Sequence, residues 1–142
     1  MLGLSVDALF LETGRPVGEE LLMPTRIYAA AVRRLLGGVE VRAMAHITGG
    51  GMTGNLPRVL PEGCRAIVHR DAWPVPAVFR VLQAAGRVSE AEMFTTFNMG
   101  VGYVAVVPEA AAAAATALLR DAGETVFALG EIVAGPRGVE LA

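Results

Sequence analysis

A change of hydrophobic period near residue 40, followed at once by three consecutive glycines, constrains this chain more than any other feature. Upstream, Tyr28, Ala31, Val32, Leu35 and Leu36 recur at the spacing of an amphipathic helix that opens at Pro24 and closes at Gly37. From Val41 the period is two. Val41, Ala43, Ala45 and Ile47 share one face, with Arg42, Met44, His46 and Thr48 on the other. Gly49, Gly50 and Gly51 end that strand, and residues 52–60 read as a short helix broken or restarted at Pro57. Where a strand passes through glycines into a helix, backbone amides converge without Cβ obstruction and the helix start adds its positive end. A phosphate suits such a turn. The competing reading is a tight connection that binds nothing, since the lysine of a P-loop is absent.

The remaining chain alternates in the same way. Residues 65–69 read as a strand, and a helix after Pro74 presents Val75, Val78, Phe79 and Leu82 on one side before Gly86. Ser89 and Glu92 form a capping box, with Val88 and Met93 as a hydrophobic staple, for a helix over 90–96. Val101–Val107 is nearly all apolar, as a central strand buried on both faces would be. Pro108 and Glu109 open an alanine-rich helix ending near Arg120 and Gly123, and 126–133 and 138–141 read as two last strands. The order predicts an α+β fold, a layered domain with a mixed β-sheet and four to five helices. Residues 1–23, punctuated by Gly14, Pro16 and Gly18, read as an irregular lead-in to a domain spanning 24–142.

Totals exclude several classes. At 142 residues and 54% hydrophobic, the chain supports one packed core. A net charge of −2, with arginines scattered from Arg15 to Arg137, lacks the basic footprint of a nucleic-acid binder. Cys64 is the single cysteine, so no internal disulfide is available, and His46 and His69 share no metal-ligand spacing with it. No apolar run is long enough to span a membrane and no secretory leader is legible, so a cytoplasmic location is expected.

Four stretches carry possible chemistry. Around the glycine turn, His46, Thr48, Asn55 and Arg58 supply side chains to an anion; His46 is also a candidate general acid or base, weighed against a structural hydrogen bond. Thr25 and Arg26 fall in the expected first helical turn, where one caps and the other binds an anion or is simply solvated. In Thr96–Gly102, Gly100 and Gly102 suggest a bulge or a close approach beside Asn98. Trp73 either stacks on a base or folds back on the core, the second being favoured.

Taken in order, Leu22-Met23-Pro24-Thr25-Arg26-Ile27-Tyr28, Ala45-His46-Ile47-Thr48-Gly49-Gly50-Gly51, Asn55-Leu56-Pro57-Arg58, Trp73, Glu92-Met93 and Thr96-Phe97-Asn98-Met99-Gly100-Val101-Gly102 resemble the carboxy-terminal domain of the phosphoribosylformylglycinamidine cyclo-ligase (aminoimidazole ribonucleotide synthetase) family. The resemblance runs from about Gly3 to Val133 and loosens after Val139. It implies a purine-biosynthesis ligase that uses ATP and Mg to close the imidazole ring of formylglycinamidine ribonucleotide, releasing ADP and phosphate. It also implies an amino-terminal ATP-binding domain as partner, a homodimer in the full-length enzyme, and Met1 as an engineered or truncated start, leaving this fragment inactive and without bound cofactor. Carried over residue by residue, Thr48, Gly49, Gly50, Gly51, Asn55 and Arg58 are the expected phosphate and substrate lining. Thr25, Arg26 and Asn98 support them, and His46 is a weaker catalytic candidate. Gly54 departs from the acidic residue common in the family, so no acid–base or metal role is assigned there. The alternative from another class is a non-catalytic anion-binding or interaction domain.

Overall fold

A computed structural model describes residues 3–142 and has an α+β architecture with a mixed sheet. The expected lead-in is not irregular over its described part: β1 (Leu9–Phe10) and β2 (Arg15–Pro16) pair antiparallel and run into α1 (Val17–Leu21). Residues 1 and 2 of that lead-in lie outside the described residues. The hairpin closes because the amides of Thr13 and Gly14 both donate to the Phe10 carbonyl, with Gly14 at φ +69°.

Helix α2 (Ala29–Gly38) starts five residues later than Pro24 predicts, and 23–28 carries no regular structure. Tertiary contacts of Arg26 and Tyr28, described below, override the local preference of proline for a first turn. Ala31 and Leu35 are buried, but Leu36 is 52% exposed, so the apolar stripe is narrower than its spacing suggests. The helix packs on α6 (Ala112–Asp121), which follows a 3₁₀ turn at Glu109–Ala111. At Gly38 the Leu118 side chain occupies the space of a Cβ.

Strand β3 (Ala43–His46) pairs antiparallel with β5 (Tyr103–Val106), placing His46 opposite Tyr103. The alternation read from sequence is present, with Ala45 and Ile47 buried and His46 and Thr48 exposed. Strand β5, however, is neither central nor buried on both faces. It is half-buried throughout and, among the described residues, has β3 as its one neighbour. The central strand is β4 (Cys64–Val68), antiparallel to β6 (Gly130–Ala134) and parallel to β7 (Gly138–Leu141). An apolar run reports what covers side chains, not how many strands share backbone hydrogen bonds.

Along the chain, α3 (Gly51–Asn55) with its 3₁₀ extension at Leu56–Arg58 follows β3 and packs on β7 and on α5 (Glu90–Thr96), which in turn meets α4 (Ala77–Gly86). Pro57 tightens the helix into 3₁₀ geometry, where its missing N–H is tolerated. The described residues thus hold six α-helices, α1 exceeding the four to five expected. One core unites Ile47, Met52, Leu56, Val68, Trp73, Met93 and Phe94. Each such side chain contributes roughly 1.5–3 kcal/mol on burial. No helix among the described residues is long and apolar enough to cross a membrane.

Candidate functional site

The glycine turn is shaped from within. Gly50 (φ +97°) and Gly51 (φ +55°) take the left-handed conformation, and the Gly51 amide donates to the Thr48 carbonyl at 3.0 Å. A Cβ on Gly51 would run into the Phe94 and Phe97 carbonyls, so this glycine is required by packing against α5. Asn55 is buried, and its Nδ2 donates to the carbonyls of Gly51 at 2.7 Å, Gly49 at 3.3 Å and Thr48 at 3.4 Å. Its NH₂ group therefore braces the loop from behind. The amides of Thr48, Gly49 and Gly50 donate to no backbone carbonyl among the described residues.

A second turn faces the first. Met99 (φ +52°) and Gly100 (φ +95°) are both left-handed, the Val101 amide donates to the Asn98 carbonyl, and the Gly100 amide donates to Asn98 Oδ1 at 2.9 Å. This is a primed hairpin-type turn, not a bulge within a strand. Pro76 crowds Gly100, and the buried Trp73 indole donates from Nε1 to the Met99 carbonyl at 2.9 Å. Trp73 thus folds back on the core and pins the turn. With Oδ1 engaged, the Asn98 NH₂ group stays available as a donor.

Tyr28 completes the surround. Its hydroxyl lies where a Cβ on Gly102 would be, which is the close approach that glycine permits. Its ring meets His46 edge-on at 5.7 Å and Tyr103 at 5.3 Å, while His46 and Tyr103 stack at 6.0 Å. Burial, with a smaller contribution from the Glu124 carboxylate, raises the Tyr28 phenol above its ordinary pKa, and Arg26 opposes the shift.

These elements enclose a depression of about 340 Å³ whose polar lining is Thr25, His46, Thr48, Gly49, Thr96 and Asn98, over a floor of Ile47, Phe79 and Phe97. Five sequence-derived site residues therefore come together: Thr25, His46, Thr48, Gly49 and Asn98. Gly50, Gly51 and Asn55 build the turn behind it. Arg26 points away, its Nε 3.1 Å from Glu124 and its Nη2 donating to the Gly123 carbonyl. Arg58 sits exposed on the 3₁₀ extension, outside the lining. Thr96 and Tyr103 were missed. Thr96 was signalled by its place two residues before Asn98, whereas the Tyr103–His46 pairing follows only from strand register.

A larger hollow of about 510 Å³ lies between Glu12 and α4, where Glu12 and Arg80 are its charged side chains and Ala77, Val81, Ala84 and Ala85 make the rest of its lining apolar. The smaller depression is where chemistry is possible. Its donors are hydroxyls, a carboxamide and free amides, and no carboxylate lines it. Such a set suits a phosphate or a ribose. It does not suit magnesium, which takes carboxylate oxygens, and no group of three or more His, Cys, Asp or Glu among the described residues is arranged to hold a metal.

Comparison with known proteins agrees with these motifs. Residues 2–141 match the family described as AIR synthase related protein, C-terminal domain. A phosphoribosylformylglycinamidine cyclo-ligase of Citrifermentans bemidjiense is 47% identical over 98% of this chain and 40% of its own length. Enzymes of the same name from Anaeromyxobacter dehalogenans (52% identical, 88% of this chain, 36% of theirs) and Sorangium cellulosum (51%, 93% and 38%) are similar too. The chain spans about two fifths of the length of these curated relatives.

Proposed function

The chain belongs to the AIR synthase related protein, C-terminal domain family, and from that premise we propose that it is the carboxy-terminal, substrate-binding part of a cyclo-ligase of purine biosynthesis. In this reading residues 24–142 are that domain and 1–23 lead into it from an ATP-binding part found in the longer relatives. The complete enzyme is a cytoplasmic homodimer. ATP activates the formyl oxygen of formylglycinamidine ribonucleotide, an amidine nitrogen closes the imidazole ring, and ADP and phosphate leave. This chain alone is inactive.

The observation that carries the reading is the convergence of Thr25, Thr48, Gly49 and Asn98 on one depression floored by apolar side chains. Unpartnered amides at Thr48 and Gly49, both in the lining, add donors that need no proton exchange to receive a phosphate. The ribose phosphate of the substrate, or the phosphate transferred from ATP, is the group assigned to them. His46, exposed at the rim, is the nearest side chain able to move a proton. Magnesium is assigned to the nucleotide phosphates and to residues beyond this chain, and no step is derived through it.

Two measurements test this. Titration with inorganic phosphate should shift the backbone amide resonances of Thr48 and Gly49, and silence there sinks the anion site. Adding the ATP-binding part of a relative should restore ring closure. Phosphate binding without restored turnover would instead favour a non-catalytic anion-binding or interaction domain.

A further inference from the structure

Residues 24–27 cross the surface without regular structure, and among the described residues no backbone–backbone hydrogen bond involves them. Thr25 nevertheless lines the depression. The polar anchor lies on the other side of the segment, where Arg26 Nε meets Glu124 at 3.1 Å and Nη2 donates to the Gly123 carbonyl at 3.1 Å. That receptor is built by the end of α6. Gly123, at φ +84°, donates its amide to the Arg120 carbonyl while the Glu124 amide donates to Leu119, the paired bonds of a Schellman motif. The motif turns the Gly123 carbonyl and the Glu124 side chain toward the incoming arginine. The Glu124 carboxylate is largely withdrawn from water, at 16% exposure against 58% for Arg26.

We propose that Glu124 is a positioning residue that, acting through Arg26, holds Thr25 at the depression. A guanidinium engages a carboxylate and a carbonyl at once, which an ammonium matches poorly. Without the carboxylate, Arg26 keeps the neutral Gly123 carbonyl as its acceptor, and residues 24–27 lose the charged half of their anchor between α1 and Tyr28. The role rests on the depression being the anion site proposed above, but the latch has its own readout.

The test uses the chain of 142 residues and inorganic phosphate. Glu124→Ala should weaken phosphate binding about fivefold, the cost of ordering the segment on binding, and should raise the fast motion of the Thr25 amide seen by nitrogen relaxation. Glu124→Gln, which keeps an acceptor oxygen for Nε, should retain most of both properties. In a Thr25→Ala background, Glu124→Ala should add no further loss, because its effect runs through Thr25. Arg26→Gln should reproduce Glu124→Ala and keeps the test open if one variant folds poorly. Unchanged Thr25 motion and affinity in Glu124→Ala, or losses that multiply in the double variant, overturn the proposal. If the unsubstituted chain shows no phosphate response, the anion site fails, and the latch is judged on Thr25 motion alone: loosened upholds it, unchanged overturns it.

Discussion

At Asn55 the chain puts a carboxamide where three loop carbonyls converge, so truncating it leaves the buried Gly51 carbonyl and two partly buried ones facing an empty space. Asn55→Ala should cost about 1–3 kcal/mol, read from urea unfolding followed by the fluorescence of the single, buried tryptophan. The neighbouring glycines divide by geometry. Gly49 has an ordinary φ and nothing within 4 Å of where an alanine methyl would stand, so Gly49→Ala should change stability by less than about 0.5 kcal/mol while weakening phosphate binding. Gly51→Ala meets backbone carbonyls at positive φ and should cost about 2–4 kcal/mol. Equal stability losses at the two sites would contradict this division. Tyr28 gives a pH dependence of known sign. Its folded pKa is raised, so above about pH 10 the unfolded chain loses the phenol proton while the folded chain keeps it, and stability falls as pH rises. All 12 basic residues are arginine, so no lysine titrates in that window. Tyr28→Phe should flatten the decline, measured as urea midpoints from about pH 8 to 11.

Among the elements, α5 shows how closely local chemistry predicts local structure. Ser89 Oγ accepts the Glu92 amide at 3.2 Å, and the helix spans 90–96 as its capping residues dictate. The reciprocal half of the box is replaced, since the Glu92 carboxylate accepts the Thr96 hydroxyl at 3.1 Å. Ser89→Ala should therefore cost about 1 kcal/mol, seen as a lower thermal midpoint, and an unchanged midpoint would mean that packing of Met93 alone sets the start. α2 and β5 show where local chemistry stops short. Pro24 is a sound helix opener, yet Arg26 and Tyr28 make contacts with Glu124 and Gly102 that an earlier helix would break. Val101–Val107 is apolar enough for a central strand, yet its partner set is decided by which edges remain free once β3 has paired.

At the scale of the molecule, Leu22 and Ile27 stand 82% and 87% exposed beside the depression-forming Thr25, on a chain that matches about two fifths of its relatives. Side chains this exposed contribute little to folding of the chain by itself. Leu22→Ser with Ile27→Ser should leave the urea midpoint within about 0.5 kcal/mol of the unsubstituted value, and should weaken recovery of ring closure when the ATP-binding part of a relative is added. Intact recovery would show that this surface is not where the two parts meet.

The α+β class, the strand alternation through Ile47, the capped helix at 90–96 and the family motifs were legible in the sequence, because each depends on residues close together along the chain. Periodicity and turn chemistry are local properties. Tertiary structure decided the rest: that Asn55 turns inward, that Arg26 pairs with Glu124, that Tyr103 lies against His46, and that β4 occupies the centre of the sheet. Each is a contact between segments distant in sequence. Its partner is set by which donors, edges and cavities remain after the local elements have packed.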